Sequence, residues 1–230
     1  AGLDEPQPDL VEVERQSFGY FTKGPIEDVG FVDLSDRIKE TGLDKKMVAS
    51  RFELWANRGG IFGIPHDVHP VGLAYRKDIT DSLGIDVNDI ETWDDFVEMG
   101  KKLTKDLDGD GVIDRYALEA STVNPAHLSL LLLQKGVRVF DEHGTLVMND
   151  PRAVDVMLWY IRQIAGPERI AFPVGENAGG YAQAMADGLV IFYVTPDWRS
   201  SFFPKDVPSV AGKMGFMPLP AWEKGGIRTR

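Results

Sequence analysis

The 230-residue sequence contains no cysteine. Disulfides, thiolate metal sites and cysteine nucleophiles are therefore excluded, while the compartment is left open. No apolar run approaches the ~18 residues that a membrane-spanning helix needs, and there is no internal repeat or low-complexity tract. No secretory leader is visible, which fits a chain that is either cytoplasmic or already processed. Positive charge is scarce: 25 Lys and Arg against 36 Asp and Glu give a net charge of −11. That balance argues against nucleic acid or an anionic membrane as partner. A GxSxG elbow, a P-loop and a strand-following GxGxxG are also missing.

What is present reads as a globular α/β chain, long enough to bury a sizeable core. Short apolar runs alternate with helical patterns through the last two-thirds, which predicts a partly parallel sheet. Strands are expected at residues 71–75, at 189–194 (LVIFYV, rich in β-branched and aromatic residues) and at 214–217. Thr92 followed by Asp95 is a capping-box variant at the head of a helix that places Trp93, Phe96, Val97 and Leu103 on one face. Asn124 and Pro125 mark a second helix start, with Gly136 past its end. Asp150 and Pro151 mark a third, in which Val154, Met157, Leu158 and Ile161 keep helical spacing. Earlier signals are weaker. Residues 1–9 read as an irregular lead-in and residues 10–13 as a short strand. Residues 16–20 read as a Gly-containing loop able to present polar and aromatic groups. The texture changes from loop-rich to helix-rich near residues 65–71, which places a domain boundary there, with units at 1–70 and 71–230.

Three constellations invite a functional reading. The segment Asp106-Leu-Asp108-Gly-Asp110-Gly111-Val112-Ile113-Asp114 matches the first nine positions of an EF-hand loop, with carboxylates at positions 1, 3, 5 and 9 and the Val112 carbonyl at position 7. Position 12, which should supply a bidentate Glu, is Ala117. Either a structural calcium ion neutralises these carboxylates or the segment is a solvated acidic turn. His66, Asp67 and His69 suggest a metal-dependent hydrolase, but they sit between Pro65 and Pro70 in extended chain, whereas the metal-binding His-Asp pairs of phosphohydrolases lie on helices; a hydrogen-bonding role is the competing reading. The only other histidines are His127 and His143. Trp198 follows the strongest strand signal, in a loop with Pro196 and Asp197. Open α/β sheets bind ligands at such strand ends, although a core tryptophan is the commoner fate. The Gly-rich residues 175–180 read as a plain loop.

The collinear order GIPHDVHPVGLAYRKD, ETWDDFVEMGKKLTKD, DGDGVIDRYAL, together with PDLVEVERQSFGYF before them and AMADGLVIFYVTPDW and GKMGFMPLP after them, resembles the extracellular carbohydrate-binding proteins of ABC importers, the maltose-binding-protein-like superfamily. The resemblance implies a two-lobe periplasmic-binding-protein fold, with the second lobe nearly complete and the first partial, as in a middle fragment. It implies no catalytic activity. A sugar or oligosaccharide would bind between the lobes and pass to ABC permease subunits. The protein would lie in the periplasm or outside the cell, with only peripheral contact at the membrane. By the same resemblance Gln16 and Ser17, Asp67 and His69, Asn124, and Trp198 occupy ligand-contact positions. Relatives often carry Asp or Arg where Gln16 and Ser17 stand, so the hydroxyl pattern being read differs.

Overall fold

The computed structural model describes residues 8–141, 145–174 and 178–228, without the side chains of Gln16, Ala178 and Gly179. Most of the lead-in (residues 1–7), His143 and the first half of the Gly-rich loop (residues 175–177) therefore lie outside the described residues. Contacts within the chain gather into two units, residues 1–68 and 69–230.

The first unit is built from short pieces. Helices α1 (Arg15–Phe21), α2 (Ser35–Glu40) and α3 (Ala49–Glu53) surround a hairpin of β1 (Ala56–Asn57) and β2 (Gly60–Ile61). Arg58 and Gly59 close the hairpin with φ of 47° and 89°, the positive values that a two-residue turn between twisted strands requires. Phe18, Ile38, Phe52 and Phe62 are its buried apolar residues. Two expectations fail here. Residues 16–20 are helical rather than a loop, because Phe18 is buried and packs edge-to-face on Trp55 at 5.3 Å. Residues 10–13 form no strand: among the described residues no strand pairs with them, and Leu10 is exposed.

The second unit is a three-layer α/β structure around a five-stranded sheet. Its strands are β3 (Val71–Arg76), β4 (Tyr116–Glu119), β5 (Ala171–Phe172), β6 (Val190–Pro196) and β7 (Met214–Pro218), in the order β5-β4-β6-β3-β7. β4 runs parallel to β5 and β6, and β3 is antiparallel to β6 and β7. The LVIFYV segment is thus a central strand, which explains its unbroken apolar character. Helices α4 (Lys77–Ser82), α5 (Trp93–Leu103), α6 (Ala126–Gln134), α7 (Pro151–Ile164), α8 (Ala178–Asp187), α9 (Asp197–Ser200) and α10 (Phe203–Asp206) complete the unit.

Local chemistry sets the helix ends. The Asp95 backbone N–H donates to Thr92 Oγ1 and the Thr92 N–H donates to Asp95, the reciprocal pair of a capping box. The Asp150 side chain caps α7 through the Arg152 N–H. At α6 the helix opens one residue later than expected, at Ala126, whose N–H is held by Asn124 Oδ1. One core cluster joins Leu73, Trp93, Phe96, Leu118, Leu131, Val156, Phe192 and Leu219; a second joins Ala74, Tyr116, Met185, Tyr193 and Phe203 on the other face. Along α7 the buried residues are Ala153, Val156 and Gln163, with Trp159 and Tyr160 partly buried beside them, whereas Val154, Leu158 and Ile161 are exposed. The bulkiest side chains take the inner face, and the aliphatic stripe turns outward.

Candidate functional site

β6 ends at Pro196, and the chain turns at once into α9, so Asp197, Trp198 and Arg199 stand on one short helical turn at the mouth of the sheet. Proline at the strand's end cannot donate a further ladder bond, which stops the pairing there. The turn is fixed from three sides. The Asp197 N–H donates to the Pro70 carbonyl (3.0 Å). His69 Nδ1 lies 2.8 Å from Asp197 Oδ1, which means that this nitrogen carries the proton, and the Trp198 N–H donates to the same oxygen at 2.7 Å. Trp198 is 49% exposed, and its ring meets Phe202 edge-to-face at 6.2 Å. An exposed indole held by its backbone loses little freedom when another surface stacks on it.

The neighbouring strand end is polar but buried. Glu119 closes β4 at 7% exposure, 3.5 Å from His127 Nε2 on the first turn of α6. Burial holds the His127 imidazole near pKa 4, aided by the positive charge of Arg199. His127 Nδ1 is buried without a hydrogen-bond partner among the described residues. The Tyr160 hydroxyl donates to the Ser121 carbonyl at 2.7 Å, and burial beside Glu119 pushes its pKa to about 12. Tyr181 at the start of α8 is raised further for the same reason. Trp93, Leu118, Glu119, His127, Trp159 and Tyr160 enclose a cavity of about 10 Å³, the space of one water. Neutral hydroxyls and a neutral imidazole thus sit around one buried carboxylate.

The expected contact residues separate into groups. His69 and Trp198 come together through Asp197. Asn124 is exposed, with its side chain engaged in the α6 turn and its N–H donated to Ser121 Oγ. In the first unit, Ser17 is half-buried in α1, and Gln16 shares that helix but its side chain lies outside the described residues. Asp67 lies 3.3 Å from His66, whose other nitrogen is 3.2 Å from Glu12. The three residues of the hydrolase reading thus divide between two surroundings: His66 faces carboxylates of the first unit and His69 one of the second. Asp197 and Arg199 were not anticipated from sequence. A carboxylate just before an exposed tryptophan was the available hint for Asp197; nothing local pointed to Arg199.

In the acidic loop, Asp106, Asp108 and Asp114 bring carboxylate oxygens within 4.8 Å of one another. Asp106 accepts the Gly109 and Gly111 N–H groups, and these bonds lower its pKa. Asp110 accepts the Val112 N–H and Asp114 that of Leu107. Ala117, at the position of the missing Glu, is fully buried in β4 and offers no side-chain ligand. The three gathered carboxylates fit a hard cation, and the loop amides stabilise the same charges without one.

The family of bacterial extracellular solute-binding proteins matches residues 3–229. An arabinooligosaccharide-binding protein of Halalkalibacterium halodurans is 35% identical over 231 residues, covering 96% of this chain and 48% of its own length. A protein of the same description from Bacillus subtilis is 28% identical, over 98% of this chain and 50% of its own. A lactose-binding protein of Rhizobium radiobacter is 30% identical, over 96% and 49%. Among solved structures, maltose-bound MalE3 of T. maritima superimposes with a TM-score of 0.62 at 24% identity, covering 86% of this chain and 50% of that one. The sugar-binding protein MalE of Xanthomonas citri reaches 0.67 at 18% identity, over 87% and 51%. At these identities the structures establish a shared fold. The chain spans about half the length of the curated relatives it matches.

Proposed function

The chain belongs to the bacterial extracellular solute-binding protein family, and from that premise we propose that it binds a sugar or short oligosaccharide outside the cytoplasmic membrane, in the periplasm or at the cell surface, and delivers it to an ABC-type permease. The observation that carries this reading is Trp198, an exposed ring on a turn anchored by Asp197, His69 and Pro70. The C–H face of a sugar ring is apolar and stacks on such a surface. Two relatives described as arabinooligosaccharide-binding make short arabinose oligomers the first ligand class to test. Hydrolysis by His66, Asp67 and His69 finds no support in the comparisons, which point to binding rather than turnover. Gln16, Ser17, Asp67, His69 and Asn124 remain proposed ligand contacts, each testable by alanine substitution. Calcium held by Asp106, Asp108 and Asp114, with Asp110 and the Val112 carbonyl completing the set, is a proposed structural addition separate from the sugar site.

The deciding experiment is calorimetric titration with arabinotriose, lactose and maltose. Saturable binding without product formation is expected, and Trp198→Ala should weaken it by about 1–3 kcal/mol, as for a central aromatic anchor. Unchanged affinity in a folded Trp198→Ala variant would remove the stacking role. Turnover of any of these sugars would reinstate the hydrolase.

A further inference from the structure

A guanidinium carries five N–H donors in one rigid plane. Several arginines of the second unit have this fork engaged. Arg76 holds Asp78 and the Met185 carbonyl, Arg152 holds Asp150, and Arg228 holds the carbonyls of Ile90 and Leu219. Arg199 differs. It is half-buried beside Trp198, and its guanidinium lies 4.3 Å from the centre of the Tyr181 ring. Among the described residues, no hydrogen bond or ion pair engages its donors. The ring supports the cation through its face, which leaves the in-plane N–H groups available to an incoming acceptor.

We propose that Arg199 is a ligand-reading residue, donating a forked pair of hydrogen bonds to two adjacent oxygens of a neutral sugar, a ring oxygen and a neighbouring hydroxyl, while the same sugar stacks on Trp198. The inference rests on the sugar-binding reading above and specifies one of its contacts. A neutral acceptor is favoured over a carboxylate or phosphate by the surrounding charge. The Asp197 carboxylate precedes Arg199 by two residues, buried Glu119 lies close enough to raise the hydroxyls of Tyr181 and Tyr193, and the chain as a whole carries −11. An anion entering here would meet that negative charge. Hydroxyl and ring oxygens accept from the fork without adding to it.

The test uses calorimetry on the full chain with arabinotriose, a deoxy analogue of arabinotriose, and trigalacturonate. Arg199→Lys keeps the positive charge and loses the planar fork, and Arg199→Met keeps the stem alone. Arg199→Lys should bind arabinotriose about 10- to 100-fold more weakly, the factor expected for hydrogen bonds from a charged donor. Its melting temperature should stay unchanged, so it remains informative even if Arg199→Met is less stable. Removing the hydroxyl read by Arg199 should weaken binding to the unmodified protein but leave binding to Arg199→Lys nearly unaffected. Equal arabinotriose affinity in the unmodified protein and both variants would overturn the role of Arg199 while the sugar-binding reading stood. Tighter binding of trigalacturonate than of any neutral sugar would overturn the neutral acceptor. Failure of the unmodified protein to bind any of the sugars would overturn the functional reading, and this inference with it.

Discussion

Gln134 is a buried amide at the C-terminal end of α6, 6% exposed, and its four polar contacts tie three parts of the second unit together. Its Oε1 accepts the Trp93 indole N–H from α5 at 3.1 Å. Its Nε2 donates to the carbonyls of Pro220, Ile227 and Arg228 at 3.0, 3.1 and 3.2 Å. Gln134→Leu keeps the volume and removes every one of these bonds. The Trp93 nitrogen then has no acceptor in a site where Trp93 is 2% exposed, and the buried Pro220 carbonyl loses its donor. The Ile227 and Arg228 carbonyls lie nearer solvent and rehydrate. Two orphaned buried groups at about 1–3 kcal/mol each, offset by about 1 kcal/mol for the added apolar burial, leave a net loss of about 1–5 kcal/mol. At about 2–4 °C per kcal/mol for a unit of this size, the melting temperature should fall by roughly 2–20 °C. Tryptophan fluorescence in a urea titration reports the change directly, because Trp93, Trp159 and Trp222 form one cluster with centroids 5.2–6.4 Å apart. Gln134→Glu should be worse still, since it sets a carboxylate oxygen against three carbonyl oxygens. A loss below about 1 kcal/mol for Gln134→Leu, or a tolerated Gln134→Glu, would refute the reasoning.

Three further outcomes are expected. Thr92→Val removes the hydroxyl that accepts the Asp95 N–H and should cost about 1 kcal/mol in a urea melt. His127 is held near pKa 4 against an ordinary 6.5, so the unfolded chain binds a proton that the folded chain refuses between those values. Stability should therefore be complete above pH 6.5 and fall toward pH 4 by roughly 3 kcal/mol at most, and His127→Gln should flatten that part of the profile in melts run at successive pH values. If Asp106, Asp108 and Asp114 hold calcium, millimolar calcium should raise the melting temperature and chelator should lower it, with an affinity of about 10⁻⁴–10⁻³ M; equal responses to magnesium and calcium, or none, would mark the loop as a solvated turn.

Elements whose start is written in neighbouring residues were the legible ones. The Thr92–Asp95 box and the Asp150–Pro151 cap act within three residues, so their chemistry survives in sequence order. The β-branched and aromatic residues of LVIFYV likewise marked a strand, and β6 proves to be the largely buried strand between β4 and β3. Where structure depends on a distant partner, local reading failed. Helix α1 has no side-chain cap and contains Gly19, yet it forms because Phe18 finds Trp55, 37 positions later (55 − 18 = 37). The inward face of α7 was similarly ambiguous. The aliphatic spacing of Val154, Leu158 and Ile161 is as regular as that of Ala153, Val156 and Gln163, and the facing helix decides between them.

The candidate site divides along the same line. Trp198 could be placed at a strand end from order alone, and His69 could be marked as a polar group near a crossing. What makes them one site is Asp197, which lies 128 positions from His69 and bonds both it and the Trp198 backbone. Replacing Asp197 should therefore loosen both partners at once, an effect that neither His69 nor Trp198 would suggest by itself. Arg199 is harder still. In sequence an arginine after an exposed tryptophan reads as a solvated charge, and its ring partner Tyr181 is contributed by a different helix, α8. The property that singles it out is that a half-buried guanidinium lies over a ring while its donors are engaged by no hydrogen bond or ion pair among the described residues. Whether a donor is already engaged depends on every acceptor within reach, so it is fixed only once the whole second unit has folded, and no motif or spacing along the chain can carry it.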